Sequence, residues 1–101
     1  MPYFVFIGRD RAESAALREE KRPAHRAYIR VAQAGCTVVA GGPLVGDDGQ
    51  PMTGTLLVLK AEDRAAALRF LAGDPYAQAR LFESTALTRW AWGLGNPPEE
   101  S

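Results

Sequence analysis

One cysteine, Cys36, and one histidine, His25, are all that the chain holds of those two residue types. A single cysteine excludes an internal disulfide and a cysteine cluster for zinc. With one histidine, and no clustered carboxylates beyond the Asp47-Asp48 pair of a turn, no metal site is expected. No G-x-x-x-x-G-K phosphate loop is present. Ser14 and Ser84 have no base near them in sequence, which argues against serine catalysis. The longest apolar run near the N-terminus, Tyr3 to Ile7, is far too short for a signal-peptide core or a membrane span. No membrane association and a cytoplasmic location are therefore expected. An excess of one charge is missing too, since 12 Lys+Arg balance 12 Asp+Glu. That balance argues against nucleic-acid binding and against a polybasic membrane anchor.

What is present suits one globular domain: 101 residues, 47% of them hydrophobic. A chain of this size buries about two thirds of its surface on folding, enough for a core without covalent staples. Tyr3 to Arg9 is rich in aromatic and branched residues and predicts a strand. Asp10 with Glu13 has the spacing of a capping box, so a helix is expected from there. Pro23 predicts a kink or a fresh start, with the helix continuing to Ala34 and stopping at Gly35. Its core stripe would be Ala24, Ala27, Tyr28, Val31 and Ala32. Cys36 to Ala40 predicts the second strand, ending in Gly41-Gly42-Pro43. Asp47-Asp48-Gly49 is a turn signal, and Met52 to Lys60 the third strand. Asp63 caps an expected helix over Arg64 to Ala72, closed by Gly73. Asp74-Pro75-Tyr76 is a breaker, and Phe82 to Trp92 the last strand. The expected division is a domain over residues 1–92 and a flexible tail over 93–101, with Pro97-Pro98-Glu99-Glu100 near its end. The order βαββαβ is that of a ferredoxin-like α+β sandwich.

Strand alternation implies a partner. Phe4 and Phe6 point one way and Tyr3, Val5 and Ile7 the other, while Leu57 and Leu59 oppose Leu56 and Val58. Both sheet faces are apolar, and two helices cover only one. Leaving the other wet forfeits ~25 cal/mol per Å² of apolar area, and a patch of that size marks an interface. The expectation is a homodimer with sheets packed face to face. The alternative is that the Gly41–Pro51 loop and the tail fold over the open face.

Few residues suit chemistry. If the helix restarts at Pro23, His25 lies in its first turn, where the helix dipole disfavours imidazolium and keeps a neutral ring able to accept a proton. A lone helical histidine has a structural reading as well. Asp74 reads as the N-cap of a short turn before Pro75, or as a carboxylate that orients an imidazole. In this topology the two segments can share one rim. Gly41, Gly42 and Pro43 form a tight turn or bring backbone N–H groups to a ligand oxyanion. Arg9, Arg22 and Arg26 are candidates to orient a carboxylate, with a solvated charged face as the alternative. Tyr76 either packs its ring or donates a hydrogen bond into a site. Cys36, opening a strand, reads as a small buried hydrophobe.

The ordered set Arg22-Pro23-Ala24-His25, Gly41-Gly42-Pro43-Leu44, Asp47-Asp48-Gly49, Gly54-Thr55-Leu56-Leu57 and Asp74-Pro75-Tyr76, followed by Leu81-Phe82 and Trp90, resembles the YciI-like (YCII-related) family from Tyr3 to Trp92. The resemblance implies a dimeric α/β-barrel domain of the ferredoxin-like kind. It also implies an active site with a histidine–aspartate dyad, which falls on His25 and Asp74, and lyase- or isomerase-type chemistry on lactone-like compounds.

Two classes of function are carried forward. In the first, the chain is a cofactor-independent enzyme in which His25, oriented by Asp74, abstracts a proton beside the carbonyl of a small acid or lactone. Arg22, Gly41, Gly42, Pro43 and Tyr76 would then contact the substrate. In the second, it is a non-catalytic dimeric module that binds a small ligand. A haem or oxygen-using role, with His25 as axial ligand, rests on fold analogy alone.

Overall fold

Alternating large side chains open the chain as β1 (Tyr3–Asp10), whose Phe4 and Phe6 are buried while Tyr3, Val5 and Ile7 are half-buried. The computed structural model describes residues 1–33, 35–95 and 97. After β1 come α1 (Ala15–Ile29), β2 (Cys36–Val45), β3 (Met52–Ala61), α2 (Arg64–Ala72), the short α3 (Pro75–Gln78) and β4 (Phe82–Trp90). The strands form one antiparallel sheet in the order β2-β3-β1-β4. That is the ferredoxin-like α+β arrangement, with α3 added before the last strand.

The helices pack on the face that carries Phe4, Phe6, Leu57 and Leu59, and Ala66, Ala67, Phe70 and Leu71 of α2 complete that core. Asp63 caps α2 as its position predicts, accepting from the Ala66 amide at 2.8 Å. The Cys36 thiol sits in the same core, and burial pushes its pKa up to about 11, so it is an un-ionised small hydrophobe. Where α1 crosses the end of α2, the Tyr28 hydroxyl donates to the Phe70 carbonyl at 2.7 Å. A Cβ at Gly73 would collide with that hydroxyl, so glycine lets the crossing keep this hydrogen bond. The register places Tyr3, Val5, Ile7, Leu56 and Val58 on the other face, which neither long helix covers.

Several expectations are corrected. Asp10 does not start a helix: it ends β1, and Glu13 adopts a left-handed φ of 58°, so α1 begins only at Ala15. Pro23 neither breaks nor restarts α1, which runs through it; Pro23 and Glu19, whose carbonyl loses its amide partner there, are both exposed to water. His25 therefore lies in the third turn, and the helix-dipole argument for its neutrality falls. The expected apolar stripe is also displaced. Ala24, Ala27, Val31 and Ala32 are exposed, and the buried residues of α1 are Arg18 and His25. Ala34, the expected helix end, lies outside the described residues.

β2 is longer than expected because Gly41, Gly42 and Pro43 pair with Leu57, Leu56 and Thr55 rather than turning. The register shift between Val38 and Ala40 inserts one residue, which hides the strand's period. Pro43 is tolerated because β2 is an edge strand. With residues 41–45 in the sheet, the loop expected to cover the open face is reduced to a hairpin. β4 stops at Trp90, two residues before the expected end; Trp92 instead packs edge-on against Tyr3 at 5.3 Å, over one corner of that face. Residues 96 and 98–101 of the expected tail lie outside the described residues.

Candidate active site

Four buried polar or charged residues stand apart from the core, namely Arg18, His25, Thr55 and Asp74. All four belong to one cluster between α1 and the sheet. Burying such groups is unfavourable unless each finds a partner, and among the described residues no buried side-chain nitrogen or oxygen is left without one.

Asp74 anchors the first half. Its φ and ψ are extended, and its Oδ1 accepts from the Tyr76 amide at 2.9 Å, capping α3 with Pro75 at the first helical position. The same carboxylate meets His25 Nδ1 at 2.8 Å through Oδ1 and 2.9 Å through Oδ2. An ionised carboxylate only accepts, so Nδ1 carries the proton and Nε2 is left as an acceptor. Among the described residues Nε2 has no protein partner and no fully buried side-chain nitrogen lacks one, so Nε2 keeps some exposure, and His25 lines a cavity. The imidazole stacks on the Tyr76 ring at 3.9 Å and 14°, which fixes its plane.

Arg18 anchors the second half. Nε and Nη2 grip Asp10 at 2.6 and 2.9 Å, Nη2 also donates to Thr55 Oγ1 at 2.8 Å, and Nη1 donates to Tyr76 Oη at 3.3 Å. The guanidinium carbon lies 4.6 Å from the Tyr76 ring centre. Burial alone would lower the Arg18 pKa, but the forked pairing with Asp10 outweighs it and the net shift is upward. Burial also raises the Tyr76 phenol, against the pull of Arg18 and Arg22. Tyr76 is thus a neutral phenol at neutral pH, its oxygen already accepting from Arg18 and its own hydrogen free to be donated.

These groups border a cavity of about 240 Å³, below the roughly 300–1,000 Å³ of clefts for drug-sized ligands. Arg22, His25 and Tyr76 line one side, and Gly41, Gly42 and Pro43 the other. Of the candidates from sequence, these six meet at the cavity and Asp74 lies directly behind His25. Arg26 lines the cavity as well, whereas Arg9 is exposed and does not. Sequence reading missed Arg18, Asp10 and Thr55. Arg18 precedes His25 by seven residues, two helical turns along the same face, which is the one signal that pointed to it. Among the described residues no group of three or more His, Cys, Asp or Glu is arranged to hold a metal, and no helix is long and apolar enough to cross a membrane.

Residues 1–91 match the YCII-related domain. The chain belongs to that family. A similar solved structure is the 5-chloro-2-hydroxyhydroquinone dehydrochlorinase TftG from Burkholderia phenoliruptrix AC1100, in complex with 2,5-dihydroxybenzoquinone. It is 33% identical with a TM-score of 0.79, over 90% of this chain and 95% of that one. PA3566 from Pseudomonas aeruginosa is 15% identical with a TM-score of 0.57, over 91% of this chain and 93% of that one, and speaks for the fold alone. No curated protein matches the chain.

The Arg18–Asp10 pair yields a prediction. Removing one partner of a buried ion pair strands the other, so Asp10→Asn or Arg18→Met alone should lower unfolding stability by about 3–5 kcal/mol. The double variant should recover a substantial part of that loss. Urea unfolding of the three variants checks this; purely additive losses would contradict the coupling.

Proposed function

We propose that this protein is a small enzyme of lyase or isomerase type in which His25, held by Asp74, removes a proton from a small carbonyl compound without a cofactor. The observation that carries the reading is the Nδ1–Asp74 contact, which leaves Nε2 as the one ring nitrogen able to take a proton, at the wall of a cavity. As Nε2 gains a proton, the Asp74 carboxylate compensates the positive charge developing on the ring. The negative charge moves onto the substrate oxygen, to which Tyr76, a lining residue whose hydroxyl is polarised by Arg18, would donate. Backbone groups of Gly41 and Gly42 on the edge strand border the same space. Arg22 and Pro43 complete the proposed substrate contacts.

Similarity to TftG supports small-molecule chemistry of this kind, since loss of HCl delivers a proton to a base and releases chloride. It also makes 5-chloro-2-hydroxyhydroquinone the first compound to test. Oligomeric state belongs to the same reading. The half-buried side chains of Val5, Ile7 and Leu56, on the face that neither long helix covers, support a second copy packed sheet to sheet. Sedimentation should give a dimer at micromolar protein, and Ile7→Glu a monomer; a monomeric parent protein would contradict it.

Chloride release from 5-chloro-2-hydroxyhydroquinone tests the catalytic part. His25→Gln should fold normally and lose about 10²- to 10⁴-fold in turnover, the usual worth of a positioned base. Tyr76→Phe should lose less, because only a hydrogen bond to the oxyanion goes. Turnover by His25→Gln equal to that of the parent protein would remove the base from the mechanism.

A further inference from the structure

α1 carries an arginine at every fourth position, Arg18, Arg22, Arg26 and then Arg30 just past its end, and all four line the one cavity described above. Residues four apart sit above one another on a helix, and like charges so placed destabilise it. A row of this kind is retained at a cost to the helix. Among the described residues, one member is ion-paired: Arg18, with Asp10. Arg30 spends a donor on the Arg26 carbonyl at 2.9 Å, which leaves its charge uncompensated. Among the described residues, the Arg22 and Arg26 side chains have neither a hydrogen bond nor an ion pair. Glu19 borders a shallow depression beside both, yet pairs with neither. Glu20, the other acidic residue of α1, lies 3.8 Å from Lys21.

Among the described residues no carboxylate lines the cavity to offset these charges. The two buried carboxylates nearby stand behind it, committed to Arg18 and His25. Across from the arginines, Gly41, Gly42, Pro43 and Leu57 offer backbone and carbon only, and a Cβ at Gly42 would meet nothing within 4 Å. The cavity thus has a cationic side on α1, which also carries His25, and an uncharged side on β2 and β3.

We infer that the substrate of this site is a small dianion, a molecule with two acidic oxygens gripped by Arg22 and Arg26. Two guanidinium forks one helical turn apart match two ionised oxygens on one compact skeleton, each pairing charge-assisted. Neither arginine has to give up an ion pair with a described residue to take a ligand, although each is ordered when it does. The inference deepens the catalytic reading and rests on it only for which ligand atom faces His25.

The test is calorimetric titration of the full chain with 2,5-dihydroxybenzoquinone, whose two enolic hydroxyls ionise, against 2,5-dimethoxybenzoquinone, which cannot ionise. The dianion should bind about tenfold tighter or more, as befits hydrogen bonds to charged groups, and the advantage should shrink as salt rises. Arg22→Gln combined with Arg26→Gln should erase the preference while leaving the unliganded melting temperature unchanged or higher, because the like-charge row is relieved. Arg69→Gln, an exposed arginine on α2 away from the cavity, should change nothing. Equal binding of the two quinones, undetectable binding of the dianion, or an undiminished preference in the double variant would overturn the inference. Failure of the catalytic reading is separately visible: His25→Gln should keep the dianion preference whether or not turnover survives.

Discussion

A single carboxylate joins the parts of this molecule that have to agree. Asp74 leaves α2 in extended conformation and caps α3 through the Tyr76 amide, and with the same oxygens it fixes the His25 ring on α1. The cap helps place Tyr76, which stacks on the His25 ring and accepts a hydrogen bond from Arg18, itself held by Asp10 and Thr55. Side chains from α1, α3, β1 and β3 are therefore held in register by a chain of hydrogen bonds that begins at one residue. Fully satisfied buried networks of this kind rigidify a site, and a partly satisfied one is worse than an apolar core.

The cost falls on α1. An amphipathic helix normally turns an apolar stripe to the sheet, but the buried positions of α1 are a guanidinium and an imidazole. Packing is supplied from elsewhere: α2 contributes Ala66, Ala67, Phe70 and Leu71 to the core, and Tyr28 and Ile29 pack against it from the end of α1. One helix supplies the core packing and the other the buried polar groups of the candidate site. Arg22 and Arg26 extend the same division, because like charges one helical turn apart lower the stability of the helix and neither side chain has a hydrogen-bond or ion-pair partner among the described residues.

This division explains how far the sequence could be read. Alternation in β1 and β3, the Asp63 cap and the Asp74-Pro75 cap are local signals, and each appears in the structure where its residues predict. The convergence of His25 and Asp74 was legible through topology and family resemblance rather than through spacing. Reading failed where a residue's partner lies far along the chain. Asp10 looks like a helix cap because its guanidinium partner, Arg18, is itself hidden in a charged run. The apolar stripe was misplaced because alanines were credited with a face that the site had claimed for polar groups. Gly41-Gly42-Pro43 looks like a turn, and only pairing with β3 reveals it as strand.

The account turns on which nitrogen of His25 holds the proton. Nitrogen-15 NMR of the ring at neutral pH reads this directly, since protonated and unprotonated ring nitrogens resonate far apart. Hydrogen bonding to Asp74 predicts one fixed tautomer, with the proton on Nδ1 and Nε2 free as the acceptor. A proton found on Nε2, or a ring averaging between tautomers, would contradict it.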